Sequence, residues 1–160
     1  MKRIALFGLY MLLMRSSAAQ TYQPNWESLD SRPVPKWFTD AKFGIFIHWG
    51  VYAVPGWSTK GNYAEFHKAK FGNRTYYDLA NDFKAELFNP GEWAKVFEQS
   101  GAKYIVLTSK HHDGFTLWPS KEADKTWGFK WNAVDIGPKR DLLGDLFKAV
   151  RKTSVHAGMY

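Results

Sequence analysis

The chain has 160 residues, of which 45% are hydrophobic and 18% aromatic, so it contains enough apolar material for one buried core. The formal net charge is +7, but Lys and Arg are interspersed with Asp and Glu, and no basic patch indicates nucleic-acid binding. Because the sequence has no cysteine, disulfides, thiol catalysis and Cys-ligated zinc are excluded.

The first residues have the pattern of a signal peptide. Lys2 and Arg3 precede an apolar segment, residues 4–14, and the small residues after it suit cleavage before Gln20. The apolar segment is too short for a stable transmembrane helix, although an N-terminal membrane anchor is the alternative. We therefore expect residues 1–19 to be a leader, with no stable membrane insertion. The expected location is the periplasm or the cell exterior, or the lysosome if the protein is eukaryotic.

The first predicted strand is the apolar run at residues 43–48 (FGIFIH), which ends at His48. The chain from there to Asn89 is much longer than a usual βα loop, and long insertions of this kind often carry function. It contains apolar residues at helical spacing, namely Tyr76, Leu79, Ala80 and Phe83.

A helix and a second strand follow. Asn89 as N-cap, Pro90 at the first helical position and Gly101 after the last turn delimit the helix. Its predicted apolar face contains Trp93, Val96 and Phe97. Residues 104–109 (YIVLTS) then form a second apolar run, rich in β-branched residues, which predicts another buried strand.

The last part of the chain repeats this order. A second helix is predicted from Asp141 to Lys152, with an apolar face of Leu143, Leu146, Phe147 and Val150. Residues 155–160 (VHAGMY) are a weaker third strand. Continuous rather than alternating hydrophobicity is typical of parallel strands buried on both faces.

The order of elements predicts an α/β fold with right-handed βαβ crossovers and a parallel sheet. Two architectures fit this order: an open doubly wound sheet and part of a (β/α)₈ barrel. No Gly-rich phosphate motif follows any strand, which disfavours a nucleotide-binding open sheet. A complete barrel takes about 250 residues, so this chain would form about the first three strands of one, with their crossover helices.

Histidines stand where two predicted strands end. His48 closes the first strand, and His111 and His112 follow the second in the stretch TSKHHD. Functional side chains gather at the carboxyl ends of parallel strands. Neighbouring side chains of a regular strand point to opposite faces, so this pair can converge with His48 only if the backbone turns after the strand. Asp113-Gly114 has the sequence of such a turn.

Three interpretations of the histidines remain open on this spacing. A metal site is disfavoured, because adjacent histidines chelate poorly and no spaced ligand set is present. Neutral imidazole has one donor and one acceptor, which suits recognition of hydroxyl groups, and satisfied core histidines are the third option. Nearby aromatic residues suggest the apolar walls of a small-molecule pocket suited to a sugar, namely Trp49, Trp57, Phe66, Phe115 and Trp118.

The candidate carboxylates do not form an obvious catalytic pair. They are Glu65, Asp113, Asp124, Asp135 and Asp141. A glycosidase needs two carboxyl groups about 5 to 9.5 Å apart, and sequence spacing does not reveal that distance. Asp141 is explained as a helix N-cap and Asp135 as a turn residue.

Three long stretches resemble the N-terminal part of α-L-fucosidases of glycoside hydrolase family 29. They are residues 26–58 (WESLDSRPVPKWFTDAKFGIFIHWGVYAVPGWS), 88–118 (FNPGEWAKVFEQSGAKYIVLTSKHHDGFTLW) and 137–146 (GPKRDLLGDL). The resemblance implies a (β/α)₈-like catalytic domain that removes terminal α-L-fucose from oligosaccharides or glycoconjugates. It also implies retention of configuration and no metal or other cofactor.

The resemblance also implies roles for individual residues. His48, His111 and His112 match the histidines with which the family binds fucose hydroxyls. Glu65 matches the Glu of a Glu-Trp pair that contacts the sugar, and Phe66 stands where Trp is usual. The family's nucleophile and acid/base come from later strands and loops, so the resemblance assigns no catalytic residue here.

We therefore expect residues 20–160 to form the N-terminal portion of the catalytic barrel. This portion would contain the fucose-binding half of the site and would be inactive alone. The alternatives are a non-catalytic fucose-binding protein and, less favoured, a metal-dependent hydrolase.

Overall fold

The computed structural model describes residues 22–56, 70–71 and 74–160, with only the main chain described at 70–71. The predicted leader lies outside these ranges. The chain divides into two units, residues 1–36 and 37–160.

The described part of the first unit contains helix α1 (Trp26–Asp30), with Asn25 as its N-cap. The Asn25 side-chain oxygen accepts a hydrogen bond from the Ser28 N–H at 2.8 Å. The remaining elements are, in chain order, α2 (Lys36–Ala41), β1 (Gly44–Ile47), a 3₁₀ helix (Val51–Ala53), β2 (Lys70–Phe71), β3 (Arg74–Thr75), α3 (Tyr76–Leu79), α4 (Pro90–Gln99), β4 (Tyr104–Leu107), α5 (Lys121–Trp127), α6 (Leu142–Val150) and β5 (His156–Met159).

The central sheet has three parallel strands in the order β1-β4-β5. This confirms the α/β prediction and the three predicted strands, which are slightly shorter than expected. Strands β2 and β3 form a separate antiparallel pair within the long insertion, which the sequence did not predict. The predicted helical stretch there contains only the four-residue helix α3, although Ala80 and Phe83 after it are buried.

Helices α4 and α6 begin at the predicted N-caps. The Asn89 side-chain oxygen accepts hydrogen bonds from two N–H groups of the first turn of α4, at 3.1 and 3.2 Å. The Asp141 carboxylate accepts one from the Gly144 N–H at 2.8 Å. These bonds satisfy N–H groups that have no partner within the helix, which is why each helix begins where it does.

One hydrophobic core lies between these two helices and one face of the sheet. Helices α4 and α6 pack against each other. Their buried side chains join those of the central strand β4, and the members from these three elements are Ala94, Phe97, Ile105, Leu107, Leu142, Leu143, Leu146, Phe147 and Val150. The prediction for Val96 was wrong, because its side chain is 59% exposed. The buried stripe of α4 instead runs through Ala94 and Phe97.

The opposite face of the sheet is more open. Phe46, Val106 and Gly158 lie side by side in register on the three strands. The Phe46 side chain is 51% exposed, and Val106 and Gly158 are half-buried. Only one face of the sheet is therefore fully packed within the described residues.

Candidate functional site

The carboxyl ends of the three parallel strands lie at one edge of the sheet. Ile47, Leu107 and Met159, the last residues of β1, β4 and β5, are aligned in register. The residues that follow the strands therefore begin at the same edge. The parallel register places His48 beside the segment that leads from β4 to the histidine pair.

The three histidines converge at this edge, as predicted. The ring centroids of His48 and His111 are 5.2 Å apart, and those of His111 and His112 are 4.7 Å apart. In both pairs the rings meet edge to face, with interplanar angles of 71° and 82°. His111 is 7% exposed, whereas His48 and His112 are exposed. Two of the three imidazoles are therefore accessible from solvent.

A tight turn after β4 directs the histidine pair. The Gly114 N–H donates a hydrogen bond to the His111 main-chain oxygen at 3.0 Å, which closes the turn. Gly114 has φ of +71°, the left-handed region that favours glycine. A Cβ atom there would lie 2.4 Å from Trp127 Nε1, so the turn also has no room for a side chain. The predicted Asp-Gly turn is confirmed.

Asp113, in the middle of this turn, is 1% exposed. One carboxylate oxygen accepts a hydrogen bond from the Tyr76 hydroxyl at 2.6 Å, and the other accepts one from the Phe115 N–H at 3.1 Å. Burial, and then the negative charge of Asp113, raise the pKa of Tyr77. Asp113 therefore stabilises the turn through its hydrogen bonds, and its carboxylate is not accessible to a substrate.

Tyr52 and Thr108 also belong to this edge, and the sequence did not single them out. The two side-chain oxygens lie 2.7 Å apart in a hydrogen bond, and Thr108 accepts another from the Trp49 N–H at 3.1 Å. The Tyr52 ring lies 5.3 Å from the His111 ring. In the sequence, Tyr52 follows shortly after the strand that ends in His48, and this position could have indicated that it lies near the site.

The described residues that were predicted to form aromatic walls instead lie in or against the core. Trp49 packs against the core rings of Phe83, Phe88 and Trp93, and Phe115 is 2% exposed. Both are core residues, because their side chains point into the packed layer and not toward the histidines. The rings that do approach the histidines belong to Phe46, Tyr52 and Tyr160. Trp118 also packs against the core.

The remaining predicted acidic residues have structural partners where they are described. Asp124 accepts hydrogen bonds from the Trp131 N–H and the Asn132 side chain, both at 2.9 Å, and from Lys130 at 3.0 Å. Burial raises the pKa of Asp124, but these hydrogen bonds lower it by more than burial raises it. The pKa therefore lies below its usual value. Asp135 accepts a hydrogen bond from the Asn132 side chain, and Asp141 caps α6.

Two of the predicted sugar-binding residues, Glu65 and Phe66, lie outside the described residues. Trp57 lies outside them as well. Among the described residues, no group of three His, Asp or Glu side chains is arranged to hold a metal ion. No helix in that part of the chain is long and apolar enough to span a membrane.

Comparisons with known proteins identify similar sequences and structures. Residues 9–160 match the profile of a family described as Alpha-L-fucosidase. Tissue alpha-L-fucosidase of Rattus norvegicus is 46% identical over 96% of this chain and 36% of the rat protein. Alpha-L-fucosidase of Branchiostoma floridae is 47% identical over 96% of this chain and 36% of its own length.

Solved structures are similar as well. The crystal structure of Thermotoga maritima alpha-fucosidase in complex with fucose has a TM-score of 0.74 and 46% identity. The match covers 88% of this chain and 37% of the Thermotoga chain. This chain therefore spans about a third of the length of the relatives it matches.

Proposed function

Because this chain belongs to the α-L-fucosidase family, we propose that it is the N-terminal part of a retaining enzyme that hydrolyses terminal α-L-fucose. The substrates would be fucosylated oligosaccharides or glycoconjugates. The observation that carries the proposal is the convergence of His48, His111 and His112 at the carboxyl edge of a parallel sheet. In the relatives that match, the chain corresponds to about a third of the protein.

The proposed architecture is about the first three strands of a (β/α)₈ barrel. The parallel order β1-β4-β5, with α4 and α6 packed on one face, has the connectivity of successive βα units. In such a barrel the helices lie outside and the opposite sheet face lies inside. The half-open face that contains Phe46 and Val106 would then face the barrel interior.

Hydroxyl recognition is the role that the chemistry of the histidines favours. A neutral imidazole donates one hydrogen bond and accepts another, and a fucose hydroxyl can do the same. His48, His111 and His112 would each bind a hydroxyl of the sugar, His48 and His112 with exposed rings and His111 with a buried one. Glu65 would accept a hydroxyl proton in a hydrogen bond, and Phe66 would pack against the C–H face of the ring.

The bond-breaking groups are not assigned within this chain. Retention requires a nucleophilic carboxylate and an acid/base carboxyl group about 5 to 5.5 Å apart. Asp113 is buried and Asp124 is occupied by three hydrogen bonds, so neither suits these roles. The proposed contribution of this chain is to hold the sugar ring in place for attack. Such positioning accounts for a large share of the rate enhancement in many enzymes.

Export is part of the proposal. The Lys-Arg start, the apolar segment and the small residues before Gln20 support a leader at residues 1–19. The mature protein would act in the periplasm, outside the cell or in a lysosome. The N-terminal residue of the exported protein, read by sequencing, tests this assignment.

The decisive experiment is to replace His111 by Ala in the complete enzyme and measure hydrolysis of an aryl α-L-fucoside. Loss of a buried imidazole that orients the sugar should lower kcat/KM at least about 100-fold. A matched control is His156→Ala, because His156 lies at the opposite end of the sheet, stacked on Trp37 at 4.5 Å.

Activity close to wild type for the His156→Ala variant is expected. Wild-type kinetics in the His111→Ala variant would contradict the assigned role. Fucose binding without hydrolysis by the complete wild-type protein would instead favour a binding protein.

A further inference from the structure

We propose that Tyr76 and Asp113 are a positioning pair whose hydrogen bond fixes the orientation of His111 and His112 and thereby sets the affinity for fucose. The inference rests on the proposed function and deepens it. Neither side chain touches the sugar in this proposal. Both act through the histidine turn.

The contact between the two residues is buried. The Tyr76 hydroxyl donates to Asp113 Oδ2 at 2.6 Å, and the two residues are 0% and 1% exposed. A hydrogen bond to a carboxylate is stronger than one between neutral groups and holds its geometry more tightly. A buried carboxylate is costly unless its oxygens are hydrogen-bonded, and here both oxygens accept a bond.

The position of Asp113 determines that of the turn. Its second oxygen accepts from the Phe115 N–H, and its main-chain oxygen accepts from Trp131 Nε1 at 2.8 Å. The Gly114 N–H in turn holds the main-chain oxygen of His111. A shift of the carboxylate would therefore displace the backbone from which both imidazoles project.

Tyr76 connects this turn to another segment of the chain. It opens helix α3, in the long insertion between β1 and α4. The hydrogen bond joins residues 37 positions apart in the sequence. It therefore ties the insertion to the histidine turn.

The test is the Tyr76→Phe substitution in the complete enzyme, which removes one oxygen atom and keeps the ring. We expect kcat/KM for an aryl α-L-fucoside to fall about tenfold or more, because small misplacements of positioning groups are costly. The inhibition constant for L-fucose should rise by a similar factor, since the histidines also contact the bound sugar. A role in stability alone would not change that constant in folded protein.

The Asp113→Asn variant and the double variant test whether the two residues act as one unit. If they do, the double variant should lose no more affinity than the more damaging single variant. If Asp113→Asn fails to fold, Tyr76→Phe still decides the matter through the L-fucose inhibition constant.

Two matched controls separate positioning from stability. Tyr104→Phe removes a tyrosine hydroxyl at the amino end of β4, far along the strand from the histidines. Glu98→Gln alters another hydrogen-bonded carboxylate, one that accepts from the Ser154 N–H at 2.9 Å, just before the amino end of β5. Both variants should keep kcat/KM and L-fucose inhibition within about twofold of wild type below their melting temperatures, since neither supports the histidine turn.

Two results would overturn this inference without contradicting the proposed function. One is a Tyr76→Phe enzyme with a lower melting temperature but wild-type kcat/KM and L-fucose inhibition. The other is independent, multiplying effects of the two substitutions. A complete wild-type protein that does not bind L-fucose would overturn the proposed function, and this inference with it.

Discussion

Gly114 shows how much the proposed site depends on a residue that has no side chain. Its φ of +71° closes the turn after the histidine pair, and the Trp127 ring occupies the space where a Cβ atom would lie. The imidazoles are thus placed by a backbone conformation and by a neighbouring indole. The chemistry of this edge therefore depends on residues that would not touch the sugar.

The substitution Gly114→Ala should destabilise the protein for two separable reasons. The left-handed backbone costs about 1–2 kcal/mol for a residue with a Cβ atom. The contact with Trp127 adds about 1–3 kcal/mol of overpacking. Urea unfolding of the complete enzyme measures the total loss in the free energy of unfolding.

Gly128→Ala is the matched control for this prediction. Gly128 also has positive φ, +76°, but nothing lies within 4 Å of the position of its Cβ atom. The Gly128→Ala variant should therefore lose only the part of the free energy of unfolding that the left-handed backbone costs, about 1–2 kcal/mol. Equal losses for the two variants would mean that the Trp127 contact does not constrain the turn.

At the scale of elements, the Asp124 carboxylate connects α5 to the chain that follows it. Asp124, in the first turn of α5, accepts hydrogen bonds from the Trp131 N–H and the Asn132 side chain. The Asn132 side-chain oxygen in turn accepts hydrogen bonds from the Val134 and Asp135 N–H groups. Asp124 therefore organises the loop that contains Trp131, and the Trp131 Nε1–H donates to the Asp113 main-chain oxygen in the histidine turn.

This arrangement predicts a pH dependence of stability. The pKa of Asp124 lies below its ordinary value of 3.8 in the folded protein, so the carboxylate stabilises the fold above that value. That contribution should disappear as the pH falls through the lower, folded-state pKa. Free energies of unfolding of wild type and Asp124→Asn, measured between about pH 3 and 7, should differ most above pH 4 and converge below it.

A control for this pH series is Asp141→Asn. Asp141 is an N-cap, and asparagine caps a helix about as well as aspartate, so this variant should stay close to wild type. A stability difference between wild type and Asp124→Asn that did not change with pH would contradict the role given to the carboxylate.

The sequence predicted the elements well because their signals are local. Asn89, Pro90 and Asp141 mark helix starts through their own hydrogen bonds or missing N–H group, and the apolar runs mark the strands. The convergence of the histidines followed from one general rule about parallel sheets. These predictions needed no knowledge of distant contacts.

Other features depended on contacts between distant residues and could not be predicted. The Tyr76–Asp113 bond and the contact of Tyr52 with His111 each join segments far apart in the sequence. Val96 was wrongly placed in the core because helical spacing gives the direction of a face only approximately. Trp49 and Phe115 were misassigned because large aromatic residues beside a site also fill cores.

At the scale of the whole molecule, apolar surface remains at the open parts of the sheet. Among the described strands, β1 and β5 are each paired on one side only in the main sheet. An apolar cavity of about 410 Å³ beside β1 is lined by Ile47, Glu92, Trp93, Val96 and Phe97. In the proposed barrel, further strands and helices would cover these surfaces. Such covering elements would also explain why Val96, which lines this cavity, is exposed here.

The Phe46→Asp substitution tests that proposal, because its effect should differ between the 160-residue chain and the complete enzyme. In the chain alone Phe46 is 51% exposed, so the charge should cost little stability and should reduce binding of an apolar dye. In the complete enzyme the same charge would be buried inside the barrel, and we expect a loss of about 3–5 kcal/mol or more in the free energy of unfolding. Leu87→Asp is the control, since Leu87 is 95% exposed and should tolerate the charge in both forms. Equal, small effects of Phe46→Asp in both forms would show that this face does not line a closed barrel.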